Sequence, residues 1–401
     1  MLRRHDEPSI ARQCLCTESE FNVAFCDNWL EVELHSSAAA EFVFRGCSSY
    51  GRLRHWREDF PGKSRSRLAQ SRRLQPLIST DDMLPLCSGE EIEACPTASP
   101  DARRVLISLN PHAGRRSVER GVVRVADCLS SAGYTAEIFT DLVQVSDQAN
   151  ELFERGDLRA LVAVGGDGTV GELINRTRPG LPMAIFPAGT ANLISRHFGL
   201  RADPARICQS IIARRAVALD AGSASGRLFL VMASCGFDAE VVNRVHECRL
   251  RNPCGGHFGY ASYLKPILES IRSYSYPEIR IECADNGSSG STETRARWAF
   301  VFNLPCYGWG LPLVPTATSG DGLLDLCTFR RGSLVDGLRY LVAAQLGWHR
   351  RLTDCRIQQH RRFRITSVEP VPYQLDGDPG GMLPLEIEVL PRRVTLLVPQ
   401  K

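Results

Sequence analysis

Ala160-Leu161-Val162-Ala163-Val164 runs without interruption into Gly165-Gly166-Asp167-Gly168-Thr169, and Val170-Gly171-Glu172-Leu173-Ile174-Asn175 follows. The first five residues are a short apolar run with the look of a buried strand, and the last six read as the start of a helix. Between them, three glycines let the main chain approach a ligand closely and turn its N–H groups towards an anion. The next helix adds the positive end of its dipole. A nucleotide phosphate fits such a turn. Asp167 is the odd member, because a carboxylate beside phosphates repels them unless magnesium lies between or it has a proton to accept. The simplest alternative is a tight strand-to-helix turn in which Asp167 caps the helix.

Upstream, Val105-Leu106-Ile107-Ser108-Leu109 is a second apolar run, ended by Asn110-Pro111. Val118, Val122, Val125, Ala126 and Leu129 then recur at helical spacing, with Gly133 placed to end that helix. Residues 134–139 predict another strand, 145–155 another helix, and 183–186 a fourth strand. Strand and helix alternate, which implies a parallel sheet with right-handed crossovers whose ligands bind at the carboxyl ends of the strands. Asn110-Pro111-His112-Ala113-Gly114 follows the first strand, and Phe186-Pro187-Ala188-Gly189-Thr190-Ala191-Asn192 follows the fourth. With the Gly-Gly-Asp-Gly-Thr loop they make three polar turns on one edge of the sheet, enough for a nucleotide crevice.

After Asp220 the texture becomes strand-rich. Residues 228–233, 279–283, 298–303, 323–329, 362–366, 386–390 and 394–398 are short β-type segments punctuated by Gly, Pro, Asn and Asp, with helical stretches near 260–273 and 335–346. A largely antiparallel second domain is the simplest solution. Asp376-Gly377-Asp378 on its own reads as a hairpin turn.

Taken in order, these motifs resemble the diacylglycerol kinase catalytic domain superfamily, which includes bacterial lipid kinases and the sphingosine and ceramide kinases. The resemblance covers about residues 103–399 and continues through Ser234-Cys235-Gly236-Phe237-Asp238-Ala239, residues 303–310, Pro315-Thr316-Ala317, Asp321-Gly322-Leu323-Leu324-Asp325 and Asp376-Gly377-Asp378. It implies an α/β fold: an N-terminal α/β nucleotide-binding domain like that of the NAD and diacylglycerol kinases, then a β-rich, mostly antiparallel second domain with the active site between them. The expected boundaries are an unassigned extension at 1–100, an ATP-binding domain at 101–220, a lipid-substrate domain at 221–390, and a terminal segment at 391–401 returning to the first domain.

The implied activity is ATP-dependent phosphoryl transfer to a lipid hydroxyl, with diacylglycerol leading and sphingoid bases open. Its cofactors would be ATP and Mg2+. Carried over position by position, Asn110, Pro111, His112, Ala113, Gly114, Thr140, Gly165, Gly166, Asp167, Gly168, Thr169, Glu172, Gly189, Thr190 and Asn192 would line the ATP site. Asp378 would accept the hydroxyl proton, Asp167 would be the second acidic residue of the chemistry, and Thr318, Asp321 and Leu323 would hold a metal. The chain departs from the family pattern at four places. Asp378 stands for the usual Glu, Gly171 for Asn, Asn192-Leu193 for Asn-Asp, and Trp309 interrupts a glycine triplet. An NAD kinase shares the Gly-Gly-Asp-Gly loop, and a catalytically silent lipid-binding protein could keep the fold. The Pro-x-Gly-Thr-x-Asn turn and the Asp-Gly-Asp motif argue against the former, while Gly171 and Asp378 keep the latter open.

Composition narrows the rest. With 401 residues, 43% hydrophobic and 23% charged, the chain can fill sizeable cores, which excludes global disorder. Its 48 basic and 45 acidic residues leave a net charge of +3, too little for an obligate polyanion binder, so no nucleic-acid partner is expected. Only Lys63, Lys265 and Lys401 are lysines, and the P-loop pattern does not occur. No apolar run approaches the roughly 18 residues of a bilayer span. The expected setting is cytoplasmic, at the surface of a membrane holding the lipid substrate, with a homodimer as a further expectation. The 15 cysteines form no Cys-x-x-Cys pair, which suits free thiols. His246, Cys248, Cys254 and His257 match no standard zinc spacing. Residues 45–73 form a basic run that reads first as a solvated extension, with nucleic acid or anionic lipid as the alternative; Arg249-Leu250-Arg251 and Trp348-His349-Arg350-Arg351 mix cations with apolar side chains in a composition suited to anionic headgroups, although a solvated surface is the simpler reading of each.

Overall fold

In a computed structural model of the protein, residues 21–26, 29–34, 42–47, 92–95, 97, 99–110, 116–251, 270, 273–284, 292–305, 307–308 and 311–399 are described. The chain divides into two compact units, Met1–Pro76 and Leu77–Lys401. In the first, β1 (Phe21–Cys26), β2 (Trp29–Leu34) and β3 (Phe42–Cys47) form an antiparallel sheet in that order. These strands lie where no sustained period is legible, because each alternation lasts only six residues. The basic run at 45–73 falls almost entirely outside the described residues.

The second unit opens with β4 (Ile92–Ala94), then β5 (Arg104–Leu109), α1 (Arg116–Ser131), β6 (Thr135–Phe139), α2 (Leu142–Glu154), β7 (Leu158–Gly165), α3 (Asp167–Arg176) and β8 (Pro182–Pro187). Strands β8, β7, β5 and β6 pair in parallel in that spatial order. Helices cover both faces. Val105 and Ile107 of β5 pack with Val122, Val125 and Leu129 of α1, while Leu106 packs with Val145, Leu152, Leu173 and Ile174 of α2 and α3. Burial on two sides is why these strands read as continuous apolar runs rather than alternations.

Three further elements carry the chain onward: α4 (Leu193–His197), α5 (Pro204–Ala213) and β9 (Arg215–Ala224). Strand β9 is a ten-residue strand that the sequence does not announce. Its Ala, Gly and Ser residues lack the bulk that marks a strand, and the bulk comes from a neighbour instead: a Cβ placed on Gly222 would stand 2.0 Å from the Phe229 ring. The expected strand at 228–233 is two, β10 (Arg227–Phe229) and β11 (Met232–Cys235). The chain changes sheet at Leu230 and Val231, so β10 pairs with β9 while β11 joins a second sheet.

The remainder is α6 (Phe237–Arg251), β12 (Ile279–Ala284), β13 (Thr292–Ala296), β14 (Trp298–Phe302), β15 (Leu324–Phe329), α7 (Leu334–Gln345), β16 (Cys355–His360), β17 (Arg362–Ser367), β18 (Pro372–Leu375), β19 (Asp378–Met382) and β20 (Leu385–Leu397). Helix α6 lies in the strand-rich half. Most of the expected helix near 260–273 lies outside the described residues. The two terminal strands expected at 386–390 and 394–398 are one. β20 runs through both, with a register shift between Leu390 and Val394, where Arg392 takes a positive φ of 52°. Its first half pairs with β17, and its last residues lie parallel to β8.

The larger sheet thus continues from the parallel strands through β20 and β17 to β12 and β13. An all-antiparallel sheet, β16-β15-β14-β11-β18-β19, faces that end. Ile279, Ile281, Val301, Leu326, Phe363 and Ile387 fill the space between the two. Cys95, Cys128, Cys208, Cys235, Cys248, Cys283, Cys327 and Cys355 are free thiols, five of them buried. Among the described residues no helix is long and apolar enough to cross a membrane.

Candidate active site

The glycine loop, the turn after β8 and Asn110 at the end of β5 meet at the carboxyl edge of the parallel strands. Gly166 and Gly189 touch main chain to main chain: a Cβ on Gly189 would stand 2.5 Å from Gly166 Cα, and one on Gly166 would stand 3.1 Å from Gly189 Cα. The Ala188 amide donates to Gly165 O at 2.9 Å, and Asn110 Nδ2 donates to Thr169 Oγ1 at 3.2 Å. Asn192, at φ 48°, accepts the Gly189 amide at 3.0 Å and returns Nδ2 to Gly189 O at 2.8 Å, which closes the third turn on itself. Thr190 is exposed in that turn, and Thr140 is exposed just beyond β6, the strand beside β5. Pro111, His112, Ala113 and Gly114 lie outside the described residues.

Asp167 is tied to the turn after β8. Its carboxylate accepts the Leu193 amide at 2.9 Å and the Ile194 amide at 3.1 Å, so it caps α4 rather than its own helix. That joins the glycine loop to the fourth-strand turn. Each Asp167 carboxylate oxygen accepts one main-chain donor.

The hairpin between β18 and β19 brings the second acidic motif to the same place. Asp376 (φ 50°) and Gly377 (φ 89°) form its two-residue turn, the left-handed pair that an Asp-Gly dipeptide supplies. The hairpin-turn reading of this motif holds. Asp376 Oδ2 accepts the Leu230 amide at 2.7 Å, and Oδ1 accepts Val231 and Met232 at 2.8 and 2.9 Å, at the point where the chain changes sheet. Asp378, next on the hairpin, then lies opposite the glycine loop, its Oδ2 3.8 Å from where a Gly168 Cβ would be. Asp167, Gly168, Glu172, Arg227, Asp376 and Asp378 line one open cleft, whose wall also includes Gly171 and Asn175. Arg227 Nη2 lies 3.8 Å from Asp378 Oδ2, and its Nη1 donates to Pro379 O at 3.1 Å.

Asn175 and Arg227 were not singled out from sequence. Asn175 sits one turn beyond Gly171 on α3, and its amide pairs with both the N–H and the C=O of Leu228, at 2.8 and 3.1 Å. A second network holds the hairpin from the far side. The Ser234 and Tyr307 hydroxyls donate to the Asp238 carboxylate, Gln374 Nε2 donates to Ser234 Oγ at 2.9 Å and Asp238 Oδ2 at 3.2 Å, and the Gly377 amide donates to Gln374 Oε1 at 2.7 Å. Burial and the Asp238 charge raise the Tyr307 hydroxyl pKa, which keeps it a donor.

Thr318, Asp321 and Leu323 lie in a different loop. The buried Asp220 of β9 holds it, accepting the Gly322 amide and the Arg392 amide at 2.7 Å each, while the Asp220 amide donates to Ser319 O at 2.6 Å. Asp321 Oδ1 accepts the Leu323 amide at 3.0 Å. One carboxylate with main-chain oxygens is a donor set that suits a hard cation such as Mg2+. His246 and Cys248 are on α6, whereas Cys254 and His257 lie outside the described residues. Among the described residues no group of three or more His, Cys, Asp and Glu gathers in metal-binding range.

Burial pushes the Asp376 carboxyl up to about 6, with the three amides opposing the shift and the Asp167 charge adding to it. A carboxyl raised on folding is protonated in the folded chain where the unfolded chain has already ionised. Its contribution to stability is therefore lost as pH rises from about 4 through about 6. The urea midpoint should fall across that window, and fall less in Asp376→Asn. That variant should also be less stable by about 1–3 kcal/mol at neutral pH, because its amide NH2 opposes a main-chain donor.

Residues 104–224 match the model of the diacylglycerol kinase catalytic domain, and residues 231–398 match that of the YegS C-terminal NAD kinase beta sandwich-like domain. A diacylglycerol kinase of Bacillus subtilis is 27% identical over 307 residues, covering 75% of this chain and 97% of the relative. One from Staphylococcus carnosus is 25% identical over 305 residues, covering 74% and 96%. An uncharacterized Synechocystis protein is 26% identical over 309 residues, covering 72% and 69%. The crystal structure of a diacylglycerol kinase from Bacillus anthracis shares the fold, with a TM-score of 0.54 at 22% identity, covering 74% of this chain and 97% of that one.

Proposed function

This chain belongs to the diacylglycerol kinase catalytic-domain family, with the YegS-type C-terminal domain, and from that premise we propose that it transfers the γ-phosphate of ATP to a lipid hydroxyl. Diacylglycerol is the leading acceptor, since it is the one named for the Bacillus and Staphylococcus relatives. The observation that carries the proposal is the approach of Asp378 to Gly168 across one cleft, which joins the acidic hairpin to the glycine loop.

Phosphoryl transfer needs positioning and charge neutralisation more than covalent help from the protein. The Gly166–Gly189 contact holds two turns against each other so that the Asp167 and Gly168 N–H groups at the start of α3 remain for phosphate oxygens, while those of Thr169 and Val170 donate to Gly166 O. No lysine is needed for this. Asp378 accepts the proton of the attacking hydroxyl, and Arg227 holds both its carboxylate and the following carbonyl. Asp376 acts on the reaction only by fixing that hairpin. Magnesium, when bound, would neutralise phosphate charge, and Thr318, Asp321 and Leu323 are the residues that would hold a metal.

The deciding measurement is transfer of radiolabelled phosphate from ATP to a panel of hydroxylated lipids dispersed in detergent. A labelled lipid product is expected, with diacylglycerol the best acceptor. ATP consumption that no lipid stimulates would overturn the assignment.

A further inference from the structure

Helix α7 is packed along one narrow face. A Cβ on Gly337 would stand 2.9 Å from the Trp298 indole, so the bare glycine lets the helix lie directly on that ring. Tyr340 stacks on Phe329 with centroids 4.3 Å apart, and Ala343 and Ala344 are buried beside it. The other face is apolar as well. Leu334, Val335 and Leu341, with Leu346 and Trp348 just beyond the helix, are each 45–59% exposed. They are five of the twelve large hydrophobic residues exposed among those described, gathered within fifteen positions of the chain. Such concentration is not the scatter of a solvated surface.

The end of the stripe is held in place. Gly347 takes φ 70°, its amide donates to Ala344 O at 3.0 Å, and the Trp348 amide donates back to Ala343 O at 2.7 Å. This is a Schellman closure, which fixes the main chain carrying the indole at the helix end.

Charge decides what the stripe meets. Residues 330–354 hold five arginines and two aspartates, a net of +3 that equals the charge of the entire chain. Both aspartates are already engaged. Asp354 accepts Arg339 and the Tyr340 hydroxyl at 2.7 Å each and faces Arg331 at 3.5 Å, while Asp336 accepts the Ser333 hydroxyl and faces Arg339 at 3.7 Å. Arg330, shortly before the helix, and Arg350 and Arg351, shortly after Trp348, are exposed. An apolar stripe edged by Trp and flanked along the chain by exposed arginines matches the boundary of an anionic bilayer, where acyl chains lie below and phosphates beside. A second copy fits poorly, because a two-fold pairing through this patch would set the arginines of one protomer against those of the other.

We propose that the exposed face of α7, with the Trp348 corner and the arginines that flank it along the chain, is the surface by which this protein lies on an anionic lipid bilayer. This deepens the lipid-kinase reading and takes its purpose from it. The surface is also connected to the cleft: Trp298, under α7, begins β14, which pairs with β11, and β11 pairs with the β18 strand that leads into the Asp376 turn.

The test uses the full chain and sedimentation with phosphatidylcholine vesicles made with and without phosphatidylserine. Binding is expected only with phosphatidylserine, and it should weaken as salt is raised. Leu341→Gln combined with Trp348→Ser should lose about tenfold or more in vesicle affinity. Arg350→Gln with Arg351→Gln should remove most of the salt dependence. Val123→Gln, on an exposed apolar side chain of α1, should change neither. All these positions are at the surface, so an unchanged urea midpoint verifies folding, and phosphate transfer to detergent-dispersed lipid should match that of the native chain.

Failure of the native chain to bind phosphatidylserine vesicles overturns the proposal, as does native binding by the Leu341/Trp348 variant. So does sedimentation velocity showing a native dimer that this variant dissolves, which would make the face an interface between copies. A chain that binds vesicles yet labels no lipid would retain this surface and lose the kinase reading. The opposite result would do the reverse.

Discussion

Asp378→Ala should lower lipid phosphorylation by about 10^2–10^4-fold, the span usual for removing a positioned proton acceptor. ATP affinity should stay within about twofold, since Asp378 reaches the cleft from the hairpin and supports neither Gly166 nor Gly189, where the proposed nucleotide turns touch. Asp378→Asn should be as impaired as the alanine variant, because it keeps the shape and the contact with Arg227 but cannot take a proton. Asp378→Glu restores the family's usual acid and lengthens the reach by one methylene. It should retain measurable turnover, and the comparison reports how closely the acceptor hydroxyl is held. Single-turnover transfer of labelled phosphate at saturating ATP measures all three. Full activity in Asp378→Ala would mean that another group takes the proton.

Gly189→Ala should weaken ATP binding by about 100-fold, the scale of loss expected when binding groups are displaced by roughly 1 Å. The new methyl would lie 2.5 Å from Gly166 Cα, 3.1 Å from Gly166 N and 2.8 Å from Asn192 Oδ1. Two of those neighbours are main chain, which no rotamer change can move aside, so one of the two turns must shift. Overpacking of this kind costs about 1–3 kcal/mol in addition. Gly171→Ala is the matched control. A Cβ there meets nothing within 4 Å, although the residue also borders the cleft. That variant should bind ATP as the native chain does and gain up to about 1 kcal/mol from the better helix propensity of Ala. Calorimetric titration with ATP separates the two glycines, and equal affinities would mean that the Gly166–Gly189 contact does not shape the nucleotide site.

The reading of the first half and that of the second differ in quality for a physical reason. Around β5, β7 and β8, apolar runs, glycine turns and the 3.6-residue spacing of α1 are local signals, each carried by fewer than twenty residues, and the elements lie close to where those signals place them. β9 left no such signal because its partner Phe229 supplies the bulk that its own residues lack. The strand at 228–233 looked continuous because Asp376, more than 140 residues away, is what draws the Leu230, Val231 and Met232 amides out of the ladder. Asp167 shows the same limit. Its neighbours suggest phosphate, magnesium or its own helix, yet its carboxylate holds amides 26 and 27 residues further on.

The sequence by itself determined the alternation of strands and helices, the three polar turns at one sheet edge, and an acidic hairpin late in the chain, because composition and short-range periodicity encode all of these. Tertiary structure alone decided that the hairpin faces the glycine loop, that Arg227 and Asn175 border the same cleft, and that one side of α7 is left to the outside. Those are statements about which buried donors find acceptors and which apolar faces find cover. Both depend on partners brought together only when the whole chain has packed.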